Sequence, residues 1–214
     1  MNKKLLHWLA ASSLMAALLS CDNTRPVHYD LLIQGGTIVD GSGAAAYAGD
    51  IAINGDTIIE IGELEDATAT RVIDASGHVV SPGFIDLHTH ADRNIRNNPG
   101  VENYLFQGVT TMLVGNCGNS PVHLDAYFQS VEETRIAPNL GMLIGHNAVR
   151  AEVMGNDNRP PTNDELTGMK ELVKAAMDAG AFGMSTGLIY LPGTYSETDE
   201  VVALARVVAE EGGI

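Results

Sequence analysis

Positively charged side chains are scarce in this 214-residue chain: 12 Lys and Arg stand against 27 Asp and Glu, a formal charge of −15. No basic run interrupts the acidic balance, which argues against a nucleic-acid partner and against a polybasic membrane patch. Cysteine is rarer still, present only at positions 21 and 117, which allows one disulfide at most. Long apolar runs are also wanting. Leu5 to Leu19 is the longest, and it is too short for a confident membrane span. Finally, residues 29–80 contain almost no helix formers at helical spacing, which excludes a helical start to the fold.

What is present begins with an export signal. Lys3 and Lys4 form a basic head, Leu5 to Leu19 an apolar stretch, and "ALLSC" its end. The pattern resembles a bacterial lipobox, in which residues 1–20 are removed and Cys21 becomes the lipidated first residue. An ordinary signal peptide cut nearby is the alternative, and either way the product is exported. The expectation is a protein lipid-anchored to the bacterial cell envelope, facing the periplasm, with a formal charge of −17 once Lys3 and Lys4 are gone. If Cys21 carries lipid, Cys117 has no cysteine partner, and in an oxidising compartment it needs a reason. Burial is one reason and metal ligation another.

A short linker, 21–28, would lead into short strands broken by turns over 29–82. "YDLLIQGGTIVDG" reads as two strands around Gly35-Gly36, "DIAINGDTIIEIG" as a hairpin around Asn54-Gly55-Asp56, and "TRVIDASGHVV" as a further pair around Ser76-Gly77. So small an all-β unit is expected to complete a sheet elsewhere.

From Gly83 the rhythm becomes strand-then-helix. The pattern predicts strands at 84–89, at "GVTTMLVG", at "PNLGMLIG" and at "AFGMS". Helices are expected from Asn98-Pro99 to about Gln107, after Ser120-Pro121, after the capping box "TNDE" at 162–165, and from Ser196 onward. Between the third strand and that box, "GHNAVRAEVMGNDNRPP" reads as a long loop carrying His146 and Arg150. Four such units imply a parallel sheet with crossover helices, either an open doubly wound sheet or a barrel. A (β/α)₈ barrel takes roughly 250 residues, so the 83–214 stretch is expected to be its first half within a longer protein.

The first barrel strand ends in "SPGFIDLHTHAD", residues 81–92. Residues two apart on a strand share a face, so His88 and His90 are expected to project together, as a pair of neutral imidazoles suited to a metal. Two unrelated surface histidines are the alternative. Asp86 shares that face and needs a partner, either a ligand histidine or a neighbouring strand.

"PGFIDLHTHAD" resembles the first-strand signature of the amidohydrolase superfamily, metal-dependent hydrolases built on a (β/α)₈ barrel beside a small β-sandwich. "GVTTMLVGNCGNSPV" and "GMSTGLIYLPGTYSETDEVVALARVVAEEGG" are similar to its N-acyl-D-amino-acid deacylase (D-aminoacylase) branch, and the likeness runs from about Tyr29 to Ile214. The resemblance implies His88 and His90 as metal ligands serving a second, often weakly occupied position, Cys117 as the thiolate ligand of the tightly held zinc, and Tyr190 as a tyrosine of the substrate pocket. It implies two further zinc histidines and an aspartate general base, all beyond Ile214. The fourth strand ends "GMSTG" without the bridging lysine of many cyclic-amide hydrolases in the superfamily.

The expected function is therefore zinc-dependent removal of the N-acyl group from N-acyl-D-amino acids. Residues 21–214 alone are expected to be inactive, poorly soluble and weak in zinc affinity. The alternatives are a cyclic-amide or isoaspartyl-peptide hydrolase of the same superfamily, or a non-catalytic lipoprotein that retains the fold. His28, His78 and His123 read as structural or exposed.

Overall fold

The computed structural model describes residues 27–214. The export signal and Cys21 lie outside the described residues. The chain divides into two compact units, with the boundary between Pro82 and Gly83.

The first unit is a mixed five-stranded sheet: β1 (His28–Ile38), β2 (Tyr47–Asn54), β3 (Thr57–Gly62), β4 (Thr68–Asp74) and β5 (Val79–Val80). Its order is β3-β2-β1-β4, with β5 also on β1. The hairpin between β2 and β3 turns at Asn54-Gly55-Asp56, where Gly55 takes a φ of +59°. The stretch around Gly35-Gly36 is one strand rather than two: β1 runs through it with a register irregularity against β2 between Ile33 and Gly36. Asp50 supports that kink, its carboxylate accepting the Gly35 N–H at 2.8 Å. Tyr29, Leu32 and Ala52 form the unit's buried cluster.

The second unit is a parallel sheet of β6 (Phe84–Asp86), β7 (Val109–Val114), β8 (Asn139–Gly145) and β9 (Gly183–Ser185) in sequential order. That order has no reversal, so it is the arrangement of a barrel segment rather than of a doubly wound sheet. The connections carry α1 (Glu102–Leu105), α2 (Leu124–Thr134), α3 (His146–Met154) and α4 (Asn163–Asp178), and α5 (Thr198–Glu210) follows β9. Met112 and Val114 of β7 and Met142 and Ile144 of β8, each two residues apart, are fully buried. They pack with Leu124 and Val131 of α2, Met169 and Val173 of α4, and Leu204 and Val208 of α5. The core therefore lies between one face of the sheet and its helices, each large side chain contributing about 1.5–3 kcal/mol.

In the second unit three elements differ from the sequence pattern. β6 stops at Asp86, so the expected strand over 84–89 is half that length and the histidines follow it. The helix expected from Asn98 is the single turn α1, because Val101 takes a left-handed φ of +44° and interrupts any helix begun earlier. The expected long loop after β8 begins with the nine-residue helix α3. The face α3 buries includes His146, Asn147 and Arg150, so no apolar period marks it. By contrast the capping box is complete, with Thr162 and Glu165 each accepting the other's backbone N–H. Among the described residues no helix is long and apolar enough to cross a membrane.

Candidate metal centre

The two histidines reach their position through a backbone held at three points. Asp86, the last residue of β6, accepts the His88 N–H at 3.0 Å, a side-chain-to-backbone turn that ends the strand. Of the two partners expected for Asp86, the carboxylate meets the ligand histidine, through the His88 backbone N–H rather than its imidazole. Thr89, between the histidines, is buried and donates its N–H to the Leu113 carbonyl of β7 at 3.3 Å. Its hydroxyl lies 2.5 Å from that of Tyr104. With Thr89 turned inward, His88 and His90 both face outward, their ring centroids 5.7 Å apart and their planes near perpendicular.

Cys117 comes from "GNCGN", the turn after β7. Gly115, Cys117 and Gly118 have φ of +78°, +57° and +76°. Glycine tolerates this; for cysteine it costs about 1–2 kcal/mol. At Gly115 a Cβ would stand 2.1 Å from the Leu143 carbonyl oxygen, so only glycine lets this turn lie against β8. Buried Asn116 joins the two segments, its side-chain amide donating to the Leu113 and Thr89 carbonyls at 2.9 and 3.3 Å.

The resulting cluster is compact. One donor atom from each of His88, His90 and Cys117 lies within 4.8 Å of the others, and Cys117 Sγ stands 3.5 Å from His88 Nε2. Zn–S and Zn–N bonds near 2.3 and 2.05 Å at a tetrahedral angle imply a sulfur-to-nitrogen separation of about 3.6 Å. The donor set and spacing thus fit a zinc-sized ion of intermediate softness.

The cluster opens into a cavity of about 500 Å³ lined by His90, Arg93, Cys117, Asn119, Asn147 and Tyr190 among others. Among the described residues, Arg93 is the one guanidinium or ammonium in its wall, and no carboxylate lines it. Tyr190 is held there by Asn147. The Asn147 side chain donates to the carbonyls of Gly187 and Tyr190 at 2.9 and 3.3 Å and accepts the Gly187 N–H at 3.3 Å. Beside the cluster, burial raises the carboxyl pKa of Asp92, opposed by its backbone amide and the charges of His90 and Arg93.

His146 and Arg150 are neither solvated nor in a loop. Both are fully buried on α3 and share the carboxylate of Glu200 from α5, with His146 Nε2 2.8 Å from Glu200 Oε1. Arg150 also donates to the carbonyls of Asp157 and Arg159 at 3.1 and 2.8 Å. This network ties the 157–159 loop and α5 to α3, and none of its members lines the cavity. Asn116, Thr89 and Asn147 were missed from the sequence because each works through backbone groups brought near only by folding. The pair of Asn flanking Cys117 in a glycine-bounded turn was the one available hint.

A family model described as "Amidohydrolase family" matches residues 71–212. The chain is 37% identical over 209 residues to the D-aminoacylase of Alcaligenes xylosoxydans xylosoxydans, an alignment covering 87% of this chain and 43% of that protein. A D-aminoacylase crystal structure superposes with a TM-score of 0.81 at 34% identity, over 86% of this chain and 44% of that one. The N-acyl-D-glutamate deacylase of Bordetella bronchiseptica, solved with zinc and a phosphonate mimic of the tetrahedral intermediate, superposes at 0.79 with 37% identity, over 86% and 43%. The chain spans less than half the length of these relatives.

Proposed function

The chain belongs to the amidohydrolase family, and from that premise we propose that it carries part of the active centre of a zinc-dependent N-acyl-D-amino-acid deacylase. The observation that carries the reading is the convergence of two imidazoles and one thiol within 4.8 Å, at the C-terminal ends of adjacent parallel strands. The relatives' names and the zinc in the Bordetella structure support the substrate class and the metal.

In this reading His88, His90 and Cys117 hold zinc. A bound zinc ion supplies Lewis acidity toward an amide carbonyl and acidifies a water molecule. The chain's own residues do the rest of the work visible here. Thr89 and Asn116 hold the ligand-bearing segments in register. Asn147 presents Tyr190 on the cavity wall, where it packs the substrate. Arg93 offers the positive charge that the carboxylate of an N-acyl amino acid needs in an otherwise acidic protein. The family resemblance implies an aspartate beyond Ile214 as the carboxylate that moves the proton, and among the described residues no carboxylate lines the cavity.

The reading also takes the protein out of the cytoplasm, anchored through lipid on Cys21, supported by Lys3-Lys4, Leu5 to Leu19 and "ALLSC". The test of function is hydrolysis of N-acetyl-D-amino acids, their L-enantiomers and a cyclic imide by the intact protein, with metal content measured on the same sample. Cleavage of the D-series together with bound zinc is expected. Preference for the cyclic imide would overturn the substrate class.

A further inference from the structure

The metal-centre turn is fastened by a residue that contributes no donor to the cluster. Ser185 is the last residue of β9, two strands away from β7 in the sheet order, and it pairs with Gly145 of β8. Its hydroxyl donates to the Gly115 carbonyl at 2.5 Å and accepts the Gly118 N–H at 2.9 Å. One Oγ therefore bonds both ends of the four-residue turn 115–118, and Cys117 sits inside the span it closes. Both bonds are partly buried, where competition from water is reduced.

The turn needs such a clasp. Three of its four residues have positive φ, one of them the non-glycine Cys117. Backbone held in a sparsely populated region persists only where its surroundings over-determine it. Asn116 bonds one flank of the turn to Leu113 and Thr89. On the other flank, Ser185 is the only side chain among the described residues that bonds the Gly118 N–H, while the Gly118 carbonyl accepts the Ala148 N–H at 3.1 Å.

We infer that Ser185 is a positioning residue for the Cys117 thiolate, holding the sulfur toward His88 by bonding Gly115 and Gly118 on either side of it. This deepens, and rests on, the zinc-centre reading above. The chemistry is that of an outer-shell partner acting through backbone rather than through a ligand's own side chain. A turn freed of it relaxes toward negative φ at Cys117 and carries the sulfur off its 3.5 Å approach to His88 Nε2.

The experiment measures metal binding to the intact protein, by competition with a chelator for Zn²⁺ and by the thiolate-to-metal absorption of the Co²⁺-loaded form. Four variants are compared with wild type: Ser185→Ala, Ser185→Thr, Cys117→Ser, and Cys117→Ser with Ser185→Ala. Ser185→Ala is expected to weaken Zn²⁺ binding about 10–100-fold and to shift or weaken the cobalt–thiolate band, with Ser185→Thr recovering much of both. In the Cys117→Ser background the same alanine change is expected to have little further effect, because its action runs through the sulfur. Wild-type affinity and an unchanged band in Ser185→Ala would overturn the inference, as would an equal loss in the Cys117→Ser background. If Ser185→Ala does not fold, the threonine variant decides: a hydroxyl that restores neither affinity nor band overturns it. A Cys117→Ser protein that binds zinc as wild type does would instead overturn the thiolate centre itself, and this inference with it. Because no readout is catalytic, a wrong substrate assignment leaves the result intact.

Discussion

Single residues decide whether three donors meet. Gly115 is where the chain is least forgiving, since any side chain meets the Leu143 carbonyl at 2.1 Å on a backbone already at φ +78°. Gly115→Ala is expected to lose metal binding before it loses the fold, as read by zinc content against far-UV circular dichroism. Arg93→Ala is expected to raise KM for N-acetyl-D-amino acids about tenfold or more, with kcat less affected. The corresponding carboxamides, which lack the anionic group, should show no such change. An equal loss for acid and amide would remove Arg93 from carboxylate recognition. Cys21→Ala is expected to abolish incorporation of labelled fatty acid into the protein.

At the scale of elements, α3 matters most, because it was hidden in the sequence and now joins three parts of the second unit. Its buried charge pair makes it sensitive. Removing Glu200 leaves Arg150 in the interior without its carboxylate, and Glu200→Ala is expected to cost about 3–5 kcal/mol, measured by denaturant unfolding of the intact protein. Replacing the whole network by apolar residues of similar volume would cost far less. The start of α4 supplies a pH effect of known sign. Glu165 is held at about 2, chiefly by the Arg159 guanidinium that bonds its carboxylate and next by the Thr162 backbone. A carboxyl depressed on folding stabilises the protein at pH values above its unfolded pKa, near 4.3, and that contribution is lost as pH falls toward about 2. The pair faces solvent, so the effect is small. Comparing melting temperatures of wild type and Arg159→Ala from pH 6 down to pH 2.5 should show the difference between them shrinking.

At the scale of the whole described stretch, residues 27–214, large apolar side chains are exposed along the sheet edges. Phe84, Ile85 and Leu87 at the β6 edge are each more than 60% exposed. The β9 edge is only partly covered, by the backbone bonds of Ile214 to Phe182 and Met184. Such surfaces associate. A polypeptide limited to residues 27–214 is expected to scatter light and to melt without a sharp cooperative transition. A monodisperse species with stoichiometric zinc would contradict that.

The sequence by itself was enough for what rests on short-range order. The apolar alternation of β7 and β8, the capping box before α4, the turn at Gly55 and the spacing of His88 and His90 are all written within a few residues. Such patterns reflect local sterics and period, which need no distant partner. The family motif, too, lies in contiguous stretches. What only the tertiary structure decided involves groups far apart in the chain: the sequential sheet order, the burial of His146 and Arg150 against Glu200, the outward turn of both histidines around Thr89, and the clasp of Ser185 on a turn some seventy residues earlier. A polar side chain reads alike in sequence whether it faces water or bonds a strained carbonyl. Only the fold, by removing water and supplying the partner, makes the difference.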